Sequence, residues 1–234
     1  MTTSTVIDPR LLSLLHFGDS AFPTGGYAHS FGLETYCQAG LVRGREDLER
    51  FLVAQLEGAS GPCDATAAVG ARAAAASGDL ERCRVIDGML EAMKPVTEFR
   101  EASRQMGRQT LRVGAALTEE ARLVAYAGDV EKSLAPGHHA VAFGLAAAAL
   151  GWTPDAAATS FLYSSTALLV GAALRLLPMG QLEGQRVLWG LHPVIQRVAS
   201  DAVARDVRDL WSFAPGIELA GIRHASLDMR LFRS

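Results

Sequence analysis

Apolar residues recur along this chain at three- and four-residue intervals, interrupted by clusters of glycine, proline and short polar residues. Asp8-Pro9 is a cap followed by proline at the first helical position, and Leu11, Leu12, Leu14 and Leu15 supply an apolar face up to Phe17. Residues 45–57 place Leu48, Phe51, Leu52 and Leu56 at helical spacing, and the stretch 58–62 is expected to end that helix. The alanine-rich run 63–76 predicts a buried helix, closed by Ser77-Gly78. Asp79 caps a helix over 80–93 that Lys94-Pro95 forbids from continuing. Thr97 opens a longer one, with Phe99, Met106, Val113 and Leu117 inward and Arg100, Arg104, Arg108 and Arg112 on a solvated face.

Thr118-Glu119-Glu120 restarts a helix that Gly128 is expected to terminate, leaving 129–136 as connector. Helices over 140–150 and 156–174 follow, separated by Gly151 and the cap Thr153-Pro154-Asp155. The second contains no charge. Its length suits a membrane span, but its serines and threonines dilute the apolarity and Arg175 follows at once, so a core helix or a dimer interface is expected. A break at 178–184, a short apolar segment at 187–191 and a helix from Pro193 with Val194, Val198, Ala202 and Val203 inward complete the pattern. No convincing period-two alternation or fixed repeat occurs, so the fold class is all-α: one domain of about eight to ten helices, with a flexible lead-in at residues 1–6.

Two stretches depart from the pattern. In Phe17 to Glu34, Pro23 fixes φ and Gly25 and Gly26 admit positive φ, so a tight turn is expected at 22–26. Thr24 is placed to cap a helix over 27–39 that carries His29, Ser30 and Glu34 and stops at Gly40. The second stretch, 215–234, combines Gly216 and Gly221 with Arg223, His224, Arg230 and Arg233 around Leu227, Leu231 and Phe232, the composition of a tail that is mobile until it docks.

A formal charge of −3 and a pI near 6.1 give no general attraction to nucleic acid or anionic membrane. The first residues lack a secretory pattern, so a cytosolic chain with Cys37, Cys63 and Cys83 reduced is expected. Gly18-Asp19-Ser20 invites a serine-esterase reading, yet Gly221 stands where the Asp of an Asp-x-x-His would precede His224. A phosphate loop needs lysine after its last glycine, and neither Lys94 nor Lys132 has one before it. The six histidines are scattered, the adjacent pair His138-His139 diverges on a helix, and Glu34 has no neighbouring carboxylate for acid/base work. The residues therefore offer no catalytic, cofactor or metal set.

Residues 23–34, Pro-Thr-Gly-Gly-Tyr-Ala-His-Ser-Phe-Gly-Leu-Glu, closely resemble the signature of the urease accessory protein F family. Pro215 through Ile222, His224 and Arg230-Leu231-Phe232-Arg233-Ser234 look like that family's carboxyl-terminal motif, and Pro136-Gly137-His138 sits where it has a Pro-x-Gly-His-like segment. Tyr27 stands where phenylalanine is common, and Ala225 follows His224 where an acidic residue is frequent. The resemblance implies an all-α homodimer without catalysis of its own, serving nickel insertion into apo-urease. It implies an adaptor joining the nickel-carrying GTPase, urease accessory protein G, to accessory protein D (H in some organisms), with an effect on GTP hydrolysis as a further option. Pro23, Gly25, Gly26, Tyr27, His29, Ser30 and Glu34 at one end, and His224, Arg230, Phe232 and Arg233 at the other, are the partner-binding residues it implies.

Overall fold

The alanine-rich run that begins at Thr66 has side chains so small that a neighbouring helix can approach almost to backbone contact, and the fold is assembled around that approach. The computed structural model describes residues 8–234; the lead-in expected at 1–6 lies outside the described residues. Among the described residues twelve α-helices follow one another. They are α1 (Pro9–Gly18), α2 (Leu33–Gln38), α3 (Arg45–Gln55), α4 (Thr66–Ala76), α5 (Leu80–Met93) and α6 (Thr97–Thr118). Then come α7 (Ala121–Glu131), α8 (His139–Ala149), α9 (Pro154–Leu176), α10 (Gln181–Gly190), α11 (His192–Ala204) and α12 (Pro215–His224). No strand occurs among the described residues, so the all-α class holds.

Helix α8 is the centre. A Cβ on Gly144 would lie 2.4 Å from the Ala68 carbonyl oxygen and 2.9 Å from Ala71 Cβ on α4. Helix α6 closes the other side, where a Cβ on Gly107 would meet the Gly137 carbonyl oxygen at 2.0 Å. This explains why the inward stripe of α6 is Ala102, Ser103, Met106, Gly107, Thr110, Leu111 and Gly114, while Leu117 is exposed. Small residues carry the contact because the backbones are close. Helix α9 is long and apolar enough to cross a membrane, but half of its most apolar window is buried, and it packs against α11, α10, α4 and α1.

Local signals hold at Asp79, which accepts from the Arg82 amide at 2.9 Å, at Thr153, which accepts from Ala156 at 3.1 Å, and at Gly40, with φ 66°. Several glycines expected to stop helices are contacts instead. The expected end at 58–62 is a π-helical stretch, Leu56–Ala65, whose wider turn accommodates Pro62. There a Cβ on Gly61 would strike Val198 Cγ1 at 2.2 Å, and the Phe213 amide donates to the Gly58 carbonyl at 2.7 Å. Helix α7 runs through Gly128 to Glu131. The break expected at 178–184 is shorter, because α10 begins at Gln181 and Gly184 lets it approach Val170 and Leu174 of α9. Arg100 and Arg104 are not purely solvated either, each lying within 4 Å of Glu91 on α5.

The Pro136-Gly137-His138 segment is a tie between helices. The Asp87 carboxylate on α5 accepts from Tyr126 Oη, the Gly137 amide and the His138 amide, at 2.9, 2.7 and 2.9 Å. Burial lifts Asp87 to about 6 against those three donors. His138 is bracketed by Ser103 Oγ at 3.1 Å and Glu91 Oε2 at 3.0 Å. The cysteines are free thiols, Cys63 and Cys83 pushed up to about 12 by burial and Cys37 to about 11.

Overpacking the α4–α8 contact is therefore expensive. Gly144→Val is expected to lower stability to urea by about 3 kcal/mol or more, whereas Gly88→Ala, in open space on α5, raises it by roughly 0.5–1 kcal/mol. Equal midpoints for the two variants would show that α4 and α8 do not meet as described.

Candidate functional site

The proline in Phe22-Pro23-Thr24-Gly25-Gly26 turns the chain, and the two glycines serve different ends. Gly25 has φ 80°, a left-handed conformation that glycine adopts freely. A Cβ on Gly26 would meet Leu168 Cδ1 at 2.2 Å and Met106 Cε at 3.1 Å, so that backbone is covered by α9 and α6 of its own chain. Thr24 Oγ1 accepts from the Gly26 amide at 3.1 Å, but it does not cap a helix over 27–39. A single 3₁₀ turn, Gly26–Ala28, is followed by Phe31 and Gly32 at φ 48° and 88°, and only then by α2. The helix is interrupted because the Ser30 and Phe31 amides donate elsewhere, to the Ser234 main-chain oxygen at 2.6 and 3.1 Å.

That bond joins the two stretches, although 204 residues separate Ser30 from Ser234. Residues 215–234 are seated on their own chain, which corrects the expectation of a mobile tail. Gly216 and Gly221 are not hinges: a Cβ on Gly221 would lie 2.4 Å from Phe99 Cζ, and one on Gly216 2.5 Å from Tyr36 Oη. Helix α12 packs on α2, with Thr35 Oγ1 donating to the Ala220 carbonyl at 3.0 Å. The remaining residues then run back along α2. Gln38 Nε2 donates to the Met229 carbonyl at 2.9 Å, and the Arg233 amide donates to the Ala28 carbonyl at 2.8 Å. His29 Nδ1 lies 2.9 Å from Ser234 Oγ. Phe232 is buried beneath the Arg175 guanidinium, 4.2 Å from its ring centroid, and Arg175 also donates to the Tyr27 carbonyl at 2.7 Å.

Glu34 stands at the crossing point, only 2 % exposed. Its Oε1 accepts from the Leu231 amide at 2.7 Å, and its Oε2 from the Phe232 amide at 3.1 Å. The His224 Nε2 lies 3.0 Å from the same Oε2, and His224 Nδ1 lies 2.7 Å from Glu98 Oε2, whose partner oxygen meets Arg230 at 3.1 Å. The His224 ring therefore stands between two carboxylates, Glu34 on one side and Glu98 on the other. Burial pushes the Glu34 carboxyl up, but the Leu231 amide, His224 and the Phe232 amide outweigh it, and its pKa falls below the ordinary value. Glu34 thus has the paired acid that its own helix lacks. Nothing in the sequence marks Glu98, Gln38 or Arg175 as partners, because each is remote along the chain and unremarkable where it stands; Ser234 lies in the carboxyl-terminal motif, but its contact with Ser30 leaves no local trace.

Of the residues the resemblance implied, His29, Ser30, Glu34, His224 and Phe232 are interior ties, whereas Pro23, Tyr27, Arg230 and Arg233 are exposed. Beneath the turn lies a groove of about 750 Å³ bordered by Gly25, Tyr27, Gln105, Arg112 and Arg175. No three histidine, cysteine or acidic side chains converge as metal ligands among the described residues. Ser20 follows a helix rather than a strand, and its hydroxyl meets Asp19.

A family model described as UreF matches residues 42–192, more than half of the chain. The chain belongs to the UreF family. The protein called "Urease accessory protein UreF" of Lachnoclostridium phytofermentans is 34 % identical over 228 residues, covering 97 % of this chain and all of that one. Those of Trichodesmium erythraeum (33 %, over 94 % of this chain and 95 % of its own) and Paenarthrobacter aurescens (34 %, over 95 % and 97 %) are similar as well. The family model spans the helical middle of this UreF chain; both stretches joined at Glu34 lie outside it.

Removing the crossing carboxylate leaves two amides and a buried imidazole without their acceptor. Glu34→Ala is expected to cost about 3 kcal/mol of stability and to expose residues 225–234 to protease at low enzyme concentration; wild-type resistance would contradict the role given to this side chain.

Acid adds a second test. Burial, then Arg233, lowers His29 to about 4; burial, then Lys94, Arg104 and Arg100, lowers His138 to about 3; burial lowers His139 to about 4, with Asp64 opposing and Lys94 adding. As pH falls through 6.5 the unfolded chain takes up protons that these folded imidazoles refuse, so their stability is full above 6.5 and declines towards 4. Asp87 works the other way between 3.8 and about 6, one group against three. The net loss near pH 5 is on the order of 1–3 kcal/mol per pH unit, read as a urea midpoint lower at pH 5 than at pH 7. A midpoint unchanged over that interval would contradict it.

Proposed function

We propose that this UreF-family chain is a non-catalytic urease maturation factor. It acts as a cytosolic homodimeric adaptor that joins the nickel-carrying GTPase, accessory protein G, to accessory protein D or H for delivery to apo-urease. Family membership supports the urease assignment. The observation that carries the adaptor reading is the junction at Glu34, which gathers the glycine turn and the tail into one surface with Tyr27, Arg230, Leu231 and Arg233 facing outward. Such a surface offers aromatic and arginine side chains, the types that anchor interfaces, on a backbone already ordered, so docking costs less conformational entropy. In this reading the junction presents residues to partners, and an effect on GTP hydrolysis would come from ordering the GTPase's own groups.

Tyr27 is 74 % exposed, so Tyr27→Ala tests the surface without disturbing the fold. In cells expressing the whole urease operon, wild-type chain should co-purify with accessory proteins G and D or H, and Tyr27→Ala should recover at least about fivefold less of one of them. Full urease activation in cells lacking this chain would contradict the proposal, as would GTP turnover by the purified chain alone.

A further inference from the structure

The two adjacent histidines differ in how they are satisfied. His138 is tied on both ring nitrogens, to Ser103 and Glu91, whereas the His139 ring is nine-tenths buried with no hydrogen-bond partner among the described residues. His139 lies 5.4 Å, centroid to centroid, from Phe161, and both border an internal cavity of about 110 Å³. A second polar group without a partner borders the same space. Gln55 Nε2 donates to Ser60 Oγ at 3.3 Å, but Gln55 Oε1 is buried and accepts nothing among the described residues. Most of the wall is apolar, from Phe99, Met106, Phe161, Leu168 and Leu169. Its charges are nearly balanced: Lys94 pairs with Asp64 at 2.7 Å, burial keeps His139 neutral, and only the half-buried Glu218 is left over. Met93 and Pro95 carry the wall out to the surface at the connection between α5 and α6, which gives the cavity a way in.

We propose that this cavity is a binding site for a small neutral organic molecule, an apolar body of about four to six non-hydrogen atoms carrying one hydroxyl. Size sets the first limit, since a cavity on the order of 150 Å³ takes one benzene ring and this one is smaller. The wall sets the second: water against aromatic and leucine side chains makes few hydrogen bonds, so an apolar body displaces it at a gain. The orphaned polar groups set the third. Gln55 Oε1 needs a donor and the neutral His139 ring offers one donor and one acceptor, and a hydroxyl matches either. A charged ligand would lose its hydration without a free counter-charge, because Lys94 and Asp64 already satisfy each other. The site bears on the rest of the fold. Phe31 and Ile217 close one side of it, so an occupant supports both the interrupted start of α2 and the helix α12 packed on it.

The test titrates the full chain, labelled with ¹³C at its methionine methyl groups, with cyclopentanol. Met93 and Met106 border the cavity, whereas Met229 is 81 % exposed at the far end of the chain. The Met93 and Met106 resonances should move and saturate with a dissociation constant on the order of 1 mM or tighter, while Met229 stays in place. Cyclopentanone, which accepts a hydrogen bond but donates none, should bind about fivefold more weakly, and Gln55→Leu should weaken cyclopentanol by about the same factor while leaving cyclopentanone unchanged. Cyclobutanecarboxylate and cyclopentylammonium should bind at least about tenfold more weakly than cyclopentanol. Ala59→Leu, whose added carbons occupy the space, should abolish the shifts. No movement of Met93 and Met106 at 20 mM cyclopentanol would mean that the cavity holds water only, and the proposal fails. It fails equally if a charged analogue binds as tightly as the alcohol, or if alcohol and ketone bind alike in wild type and in Gln55→Leu, which would leave a void without a recognised head group.

Discussion

A carboxylate buried to 2 % exposure must have its lone pairs satisfied by something, and for Glu34 that something comes from the far end of the chain. Two amides from the tail and one imidazole from the end of α12 supply it. From that requirement follow the direction in which the tail runs, the seating of Phe232 beneath Arg175, and the capture of the Ser234 main-chain oxygen by Ser30 and Phe31. A hydrophobic contact of the same area would tolerate a shift of one residue; two charge-assisted amide bonds with a fixed imidazole do not. The exposed positions Tyr27, Met229, Leu231 and Arg233 owe their placement to this interior arrangement.

The rest of the molecule provides the platform. Alanine and glycine let α4, α6 and α8 approach so closely that their backbones nearly touch, which leaves little freedom for α6 to move. Because α6 carries Phe99 in its first turn under Gly221 and Met106 under Gly26, a rigid α6 fixes the turn and α12 at once. The Asp87 tie to Gly137 and His138 holds the entry to α8 in the same frame.

Signals confined to a few residues were legible in the sequence. The caps at Asp79 and Thr153, the stop at Lys94-Pro95 and the left-handed Gly40 depend only on their immediate neighbours, and each appears where those neighbours put it. Glycines were ambiguous, since the lack of a Cβ serves a turn and a close approach equally well: Gly40 ends a helix, whereas Gly61, Gly184 and Gly221 sit within helical segments against Val198, Val170 and Phe99. The candidate site was legible as two separate stretches with a family likeness. Their junction was not, because the pairing of Glu34 with His224 spans 190 residues and leaves no periodic trace in either segment. The interruption of the helix at Phe31 was hidden for the same reason, as its cause lies at Ser234.

Amide hydrogen exchange at Ser30, Phe31, Leu231 and Phe232 tests the central claim most directly. If the turn and the tail are one unit fastened through Glu34, these four amides should be protected in the isolated chain to a degree comparable with amides inside α8, and all four should lose protection together in Glu34→Ala. Exchange of the Leu231 and Phe232 amides at the rate of an unfolded peptide in the wild-type chain would contradict it.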